Sequence, residues 1–278
     1  MKNSLLLVFI FSIFISCKSN TKPPIKDSIV VTQSINQTQE VIKKFKPIIQ
    51  GVWVKSDYVD KVIKTKSPAT AADEATGMTT MYINTDKITG DSILVGAGWN
   101  NHEGGELTLK FKAGKGKSTI LFGGGELGYS IKNGDTVLTT YWPDEKKSNK
   151  IIVTNYRRVL IKQAEDMGYG IQYIINKQLI SGKYNMKDSI GNNSIVKFYN
   201  DGKVSGFLNF KTFYINTDFV AGPQNNLDQL IFDVQTKVQK DFLFKLQSDT
   251  LNIYEVNVSA DSLRLERGKL KYSLIRQK

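Results

Sequence analysis

The chain has one cysteine, Cys17, and one histidine, His102, in 278 residues. With a single cysteine no internal disulfide can form, so a folded domain must rest on a packed core. With a single histidine a Ser-His-Asp triad has to use His102, and a Cys-His pair in the folded part is excluded. Proline is scarce, with six residues, so most backbone N–H groups are free for strand ladders. Acidic residues are in deficit: 38 Lys and Arg stand against 26 Asp and Glu, a net charge of +12. Apart from Leu5–Ile15 there is no long apolar run, and that one is shorter than the roughly 20 residues of a membrane-spanning helix.

What is present favours strands. Hydrophobic residues make up 40%, with 12 Tyr and 14 Phe, and 22 glycines supply turns. Lys2 followed by LLLVFIFSIFI reads as the charged and apolar regions of a signal peptide, residues 1–16. Residues 17–48 are polar and basic, with Lys18, Lys22, Lys26, Lys43, Lys44 and Lys46 against Asp27 and Glu40, and read as a tether carrying a short helix in QTQEVIKKFKPII. Its lysines either face solvent or attract anionic headgroups. Export from the cytoplasm makes nucleic acid an unsuitable partner.

The pentapeptide YINTD occurs at Tyr82–Asp86 and again at Tyr214–Asp218. Further landmarks recur in order: GVW at Gly51 and GKY at Gly182, NGDTVLTTY at Asn133 and SDTLNIY at Ser248, KIIVTNYRR at Lys150 and KLKYSLIRQ at Lys269. The last pair sets Arg157 opposite Arg276. Ordered recurrence points to two copies of one domain, at 49–159 and 181–278. Hairpin signals at Asn133-Gly134, Asn200-Asp201-Gly202, Ser248-Asp249 and Arg267-Gly268 predict antiparallel meanders, which tend to close into barrels. Residues 160–180 form a linker, broken at Gly168 and Gly170 and helical over Ile171–Leu179. The expected fold class is all-β: two tandem antiparallel β-barrels, each preceded by a short helix.

Two resemblances follow. Ser16-Cys17 directly after the apolar run resembles the lipobox of bacterial lipoproteins of the Bacteroidetes type, with Phe14 where Leu is usual. It implies cleavage before Cys17, a lipid on its thiol, and a membrane-anchored protein on the outer membrane facing the periplasm. Gly51-x-Trp53 at a first strand, a meander, and a basic residue at the last strand resemble the lipocalin-like (calycin) domain. The resemblance implies barrel-closing pairs in which an arginine crosses the first-strand aromatic: Trp53 with Arg157, and Tyr184, in place of the usual Trp, with Arg276.

The first copy carries KTKSPATAADEATGM, Lys64–Met78, where the second has a hairpin. By the same resemblance this segment is a lid over a ligand cavity; otherwise it is a variable surface loop. Extra glycines in GAGWNNHEGGE, AGKGKS and FGGGELG suggest bent strands, with Trp99 in the core or facing a ligand.

Several motifs look chemical and do not hold. GGGELG at 123–128 matches G-x-G-x-x-G, but a strand follows it where a dinucleotide site needs a helix. Gly116-Lys117-Ser118 lacks the upstream glycine of a phosphate-binding loop, since Phe111 stands there. His102 with Glu103, Glu106 and Asp91 is a thin set for a metal. No cofactor, metal or catalytic set is indicated. The leading expectation is a non-enzymatic lipoprotein that binds a small apolar or amphipathic ligand in a barrel. The alternative is a scaffold that docks onto an outer-membrane protein complex, and the weakest is a carboxylate hydrolase.

Overall fold

The computed structural model describes residues 26–144, 146–147, 150–162, 168–187, 193–220, 226–261 and 263–278, with side chains from residue 37 onward. The signal segment 1–16, Cys17 and the start of the tether lie outside the described residues. Thr38–Lys278 form one compact unit and Met1–Gln37 a separate one. Helix α1 (Lys26–Ile49) enters the compact unit with its last turns. No helix among the described residues is long and apolar enough to cross a membrane.

Eight antiparallel strands follow: β1 (Gly51–Lys55), β2 (Met78–Ile83), β3 (Ser92–Trp99), β4 (Glu103–Ala113), β5 (Thr119–Phe122), β6 (Gly125–Lys132), β7 (Asp135–Pro143) and β8 (Ile151–Leu160). Each pairs with the next, and β8 pairs back onto β1, closing a barrel. Between β1 and β2 the chain forms helix α2 (Ser56–Thr65) and a 3-10 segment, Ala69–Glu74. Helix α3 (Tyr169–Leu179) leads to a second set of eight: β9 (Gly182–Lys187), β10 (Asn193–Phe198), β11 (Val204–Ser205), β12 (Phe213–Ile215), β13 (Gln229–Phe232), β14 (Lys240–Gln247), β15 (Thr250–Val258) and β16 (Leu265–Arg276). These form one sheet in the order β11-β10-β9-β16-β15-β14-β13-β12, with β16 and β15 at its centre. Its edge strands β11 and β12 are linked by a single bridge, Lys203 to Thr212. The Val204 amide donates to the Lys211 carbonyl at 2.8 Å and the Phe213 amide to the Gly202 carbonyl at 2.7 Å.

Period-2 alternation is clear in β9, where Tyr184 and Met186 are buried between exposed neighbours. In β1, Val52, Trp53 and Val54 are all buried, because each face meets a different core. Trp53 joins Met81, Ile83, Val95, Phe111, Phe122 and Leu138 inside the closed barrel, with Phe45 and Ile49 of α1. Val54 points the other way, into a cluster that contains α2, α3 and the interior of the second sheet. That second core is aromatic: Phe198 meets Tyr184 and Phe213 edge to face at 5.6 and 5.1 Å, and Phe210 stacks on Phe232 at 4.6 Å.

Three sequence readings need correction. Gly170 does not break the linker helix but lies in its first turn; a Cβ there would come within 2.4 Å of Val52 Cγ1, so glycine allows α3 to approach β1 closely. Arg267-Gly268 is not a turn. β16 runs through it with a register irregularity opposite Tyr254–Val256, and the turn lies earlier in the chain, between β15 and β16, where the Ser259 amide donates to the Arg264 carbonyl. The two YINTD segments also occupy different places, the first ending β2 and the second ending β12, the fourth strand of its set. Their local turns agree: Asn84 Oδ1 accepts from the Asp86 amide at 3.2 Å and Asn216 Oδ1 from the Asp218 amide at 3.1 Å.

Candidate functional site

The residues singled out in the sequence meet at two locks, one at the start of each strand set. In the second, Arg276 lies over the Tyr184 ring at 5.2 Å. Its guanidinium donates to the Tyr184 hydroxyl at 2.6 Å and to the Leu179 carbonyl at 2.5 Å. The Tyr184 hydroxyl in turn donates to the Ile180 carbonyl at 2.7 Å. Burial raises the pKa of this hydroxyl and so disfavours its ionisation, opposed by Arg276.

The first lock uses Arg158, not Arg157. Arg158 lies 4.7 Å from the Trp53 ring and donates to the Ile48 carbonyl, while Trp53 Nε1 donates to the Ile49 carbonyl at 2.8 Å. Arg157 points to the opposite face of β8 and binds Asp60 of α2 at 2.5 Å. The cause is local. Successive strand residues face opposite sides, and an irregularity between Val52 and Trp53 sets Trp53 opposite Arg158. The two locks then agree atom by atom. In each, the aromatic binds the carbonyl four residues before it, and the arginine binds the carbonyl one residue earlier still. Gly51 and Gly182, with φ of +129° and +144°, make the bend between helix and strand. Trp53 can only donate, whereas Tyr184 also accepts from its arginine.

The second assembly is the junction between the strand sets, which the sequence did not announce. The segment read as a lid over the first barrel packs elsewhere. Its Ala71 and Ala75, with Tyr58, Val59 and Val62 of the preceding α2, are buried in the cluster formed by α3 and the second sheet, and only Met78 at its end joins the first barrel's interior. Asp228, just before β13, accepts from the Ala69 amide at 2.8 Å and so caps the 3-10 segment. Burial holds its carboxyl above the usual aspartate value. Nearby, Asn101 Nδ2 donates to the Thr217 carbonyl at 3.1 Å, and Gln172 Nε2 to the Ile215 carbonyl and the Thr217 hydroxyl at 3.1 and 3.0 Å. His102, in the turn between β3 and β4, has Nδ1 2.7 Å from Oδ2 of Asp218, the last residue of the second YINTD. The hydrogen bond and then the charge of Asp218 raise the histidine pKa, with a smaller contribution from Glu103. A cavity of about 300 Å³ lies here, lined by Thr80, Asn101, His102, Glu103, Gln172 and Tyr214 among others. Among the described residues no three His, Cys, Asp or Glu side chains gather as a metal site.

The glycine-lysine turn after β4 is an anion nest that the protein fills itself. The amides of Lys115 and Gly116 donate to Glu126 at 2.8 and 3.1 Å, and the Thr119 hydroxyl at 2.6 Å. Thr119, then the Lys115 amide, hold the Glu126 carboxyl below the usual glutamate value. The GGGELG stretch forms the β5–β6 hairpin.

The barrel interior is filled. Trp53, Met81, Phe111, Phe122 and Leu138 are each at most 1% exposed, and Phe45 and Ile49 from α1 join the same cluster. Trp99 packs half-buried against this cluster, and its ring lies across Gly105. An open groove of about 840 Å³ is on the outer face of β2, β3 and β4, beside Tyr82, Leu94 and Glu106. A different kind of surface stands at the end of the β7–β8 hairpin, where Ile151, Ile152 and Val153 are 51%, 47% and 55% exposed. Compared with known protein families, characterised proteins and solved structures, the chain matches none of them.

Proposed function

We propose that the protein is a non-enzymatic interaction module of the bacterial envelope. Two lipocalin-like barrels, held to the outer membrane through a lipid on Cys17, dock onto an envelope protein assembly. The second eight-stranded sheet is read as the second barrel, with the Lys203–Thr212 bridge as its seam. One observation carries the choice of docking over carriage. The interior in which a lipocalin-like carrier holds its ligand is occupied by the side chains of Trp53, Phe111 and Phe122 and by α1. Ala71 and Ala75 of the segment expected as a lid are likewise buried in the second core. Function is then left to outer surfaces, and the +12 charge favours an acidic partner.

Native mass spectrometry of the lipoprotein gently extracted from its own envelope tests this reading. The expected spectrum shows a complex with another polypeptide, weakened by added salt. An extra mass of a few hundred daltons with no polypeptide would return the reading to ligand carriage. The anchor is tested separately: Cys17→Ser should abolish labelling by a palmitate analogue, and labelling that persists would place the lipid elsewhere.

A further inference from the structure

Within the docking reading, we infer that the free edge of β8 at Ile151–Asn155 is the docking point, and that it takes an extended acidic segment of a partner protein by strand addition. β7 pairs with β8 along its length, from Val137 opposite Arg157 to Pro143 opposite Ile151. On the other side β1 covers only Tyr156–Leu160, because the chain turns into α2 after Lys55. Among the described residues no strand lies beside Ile151–Asn155 on that side, so its outward N–H and C=O groups form an open template.

Single exposed aliphatics are ordinary on protein surfaces, but three in succession on an open edge are not. Natural edges are guarded by an inward charge or a bulge. Here the five residues Ile-Ile-Val-Thr-Asn contain no charge, and the pairing with β7 runs without a register shift. Lys146, Lys147 and Lys150 are exposed at the adjoining turn, and none has an ion pair among the described residues. The Asp144 carboxylate is turned back onto the Lys146 amide at 3.0 Å. The edge is therefore apolar with a cationic end, which suits an extended segment of alternating apolar and acidic residues.

Two comparisons narrow the occupant. β16 also overruns its neighbour, pairing with β9 only from Leu274 onward. Three of its four cations are committed, though: Lys271 binds Glu255 at 2.9 Å, Arg267 lies over Tyr254 at 4.9 Å and Arg276 over Tyr184 at 5.2 Å. A lipid surface could cover the β8 aliphatics, but it would leave the edge N–H and C=O groups without partners in a dehydrated layer. An added strand satisfies both.

The test uses the full chain and two synthetic peptides of about ten residues, one alternating valine with glutamate and one valine with lysine. Amide hydrogen exchange at Ile151–Asn155 and peptide anisotropy are followed together. The valine-glutamate peptide should protect those amides and bind about tenfold or more tighter than its lysine counterpart. Val153→Lys should weaken it about tenfold, whereas Val153→Thr, which keeps strand preference, and Ile131→Lys, an exposed site elsewhere, should not. Four results overturn the proposal: no protection by either peptide, equal binding of both, protection by phosphatidylglycerol vesicles in place of peptide, or protection that grows with protein concentration alone. Peptide binding that Val153→Lys leaves unchanged removes this edge while the docking reading stands. A native spectrum with a small ligand and no polypeptide removes the docking reading itself.

Discussion

Arg157 and Arg158 are neighbours in sequence with different work, because consecutive residues of a strand face opposite sides. Arg158 crosses the buried Trp53 ring and binds the end of α1, whereas Arg157 reaches the exposed carboxylate of Asp60. A partly desolvated cation–π contact with a hydrogen bond from a charged donor is worth about 1.5–3 kcal/mol; an exposed ion pair is worth about 0–1 kcal/mol. Arg158→Ala should therefore lower unfolding free energy by about 1.5–3 kcal/mol and Arg157→Ala by less than about 1 kcal/mol in urea titration. Equal losses would mean the lock is not a stabilising device. The glycine, the aromatic and the existence of an arginine partner were legible in the sequence. The choice between adjacent arginines was not, since it depends on a one-residue irregularity at Val52/Trp53 that no local pattern marks. His102 was similarly opaque, because its partner Asp218 is remote in the chain. Its folded pKa is raised above the unfolded value of about 6.5. The resulting stability is fully present below about pH 6.5 and lost as pH rises through the folded pKa. Asp218→Asn should bring the His102 NMR titration back toward about 6.5, and its effect on melting should shrink at alkaline pH. A midpoint that Asp218→Asn leaves unmoved would refute the pairing.

Among the elements, hairpins were the most readable. Asn133 and Gly134 both adopt positive φ, 51° and 86°, as a tight turn between β6 and β7 demands. The aliphatic and aromatic spacing of Tyr58, Val59 and Val62 is helical, yet the strand before it and the Ala-Thr run after it concealed α2. Its destination was beyond local reading, because the surface that buries it belongs to strands well over a hundred residues later. The element bonds two regions. Tyr58→Ala should cost about 3–5 kcal/mol, as for other large buried aromatics. The informative readout is where the loss appears: amide exchange should quicken at Phe198, Phe213 and Ile215, which share its cluster. If exchange quickens only in β1, β2 and β8, α2 serves the first barrel alone.

For the whole molecule, the two strand sets share a core more than they adjoin. β1 gives Trp53 to one interior and Val54 to the other, so the strand that closes the first barrel is also part of the second core. Burying Tyr58, Val59 and Val62 in that core contributes about 1.5–3 kcal/mol each, a large part of the about 5–15 kcal/mol that stabilises an ordinary domain. The second set should then depend on the first. Calorimetry of the whole chain should give one cooperative transition, with equal calorimetric and van't Hoff enthalpies. A chain of residues 168–278 alone should expose Ile171, Ile174 and Phe213, bind a hydrophobic dye and lack a sharp near-ultraviolet spectrum. The reverse cut is less damaging, because among the described residues the interior around Phe111 and Phe122 contains nothing from the second set. Residues 38–162 should keep a closed barrel while α2 frays, losing the protection of Val59 and Val62 amides first. Two resolved transitions in the whole chain, or a fully packed 168–278, would show that α2 rests on the second sheet without supporting it.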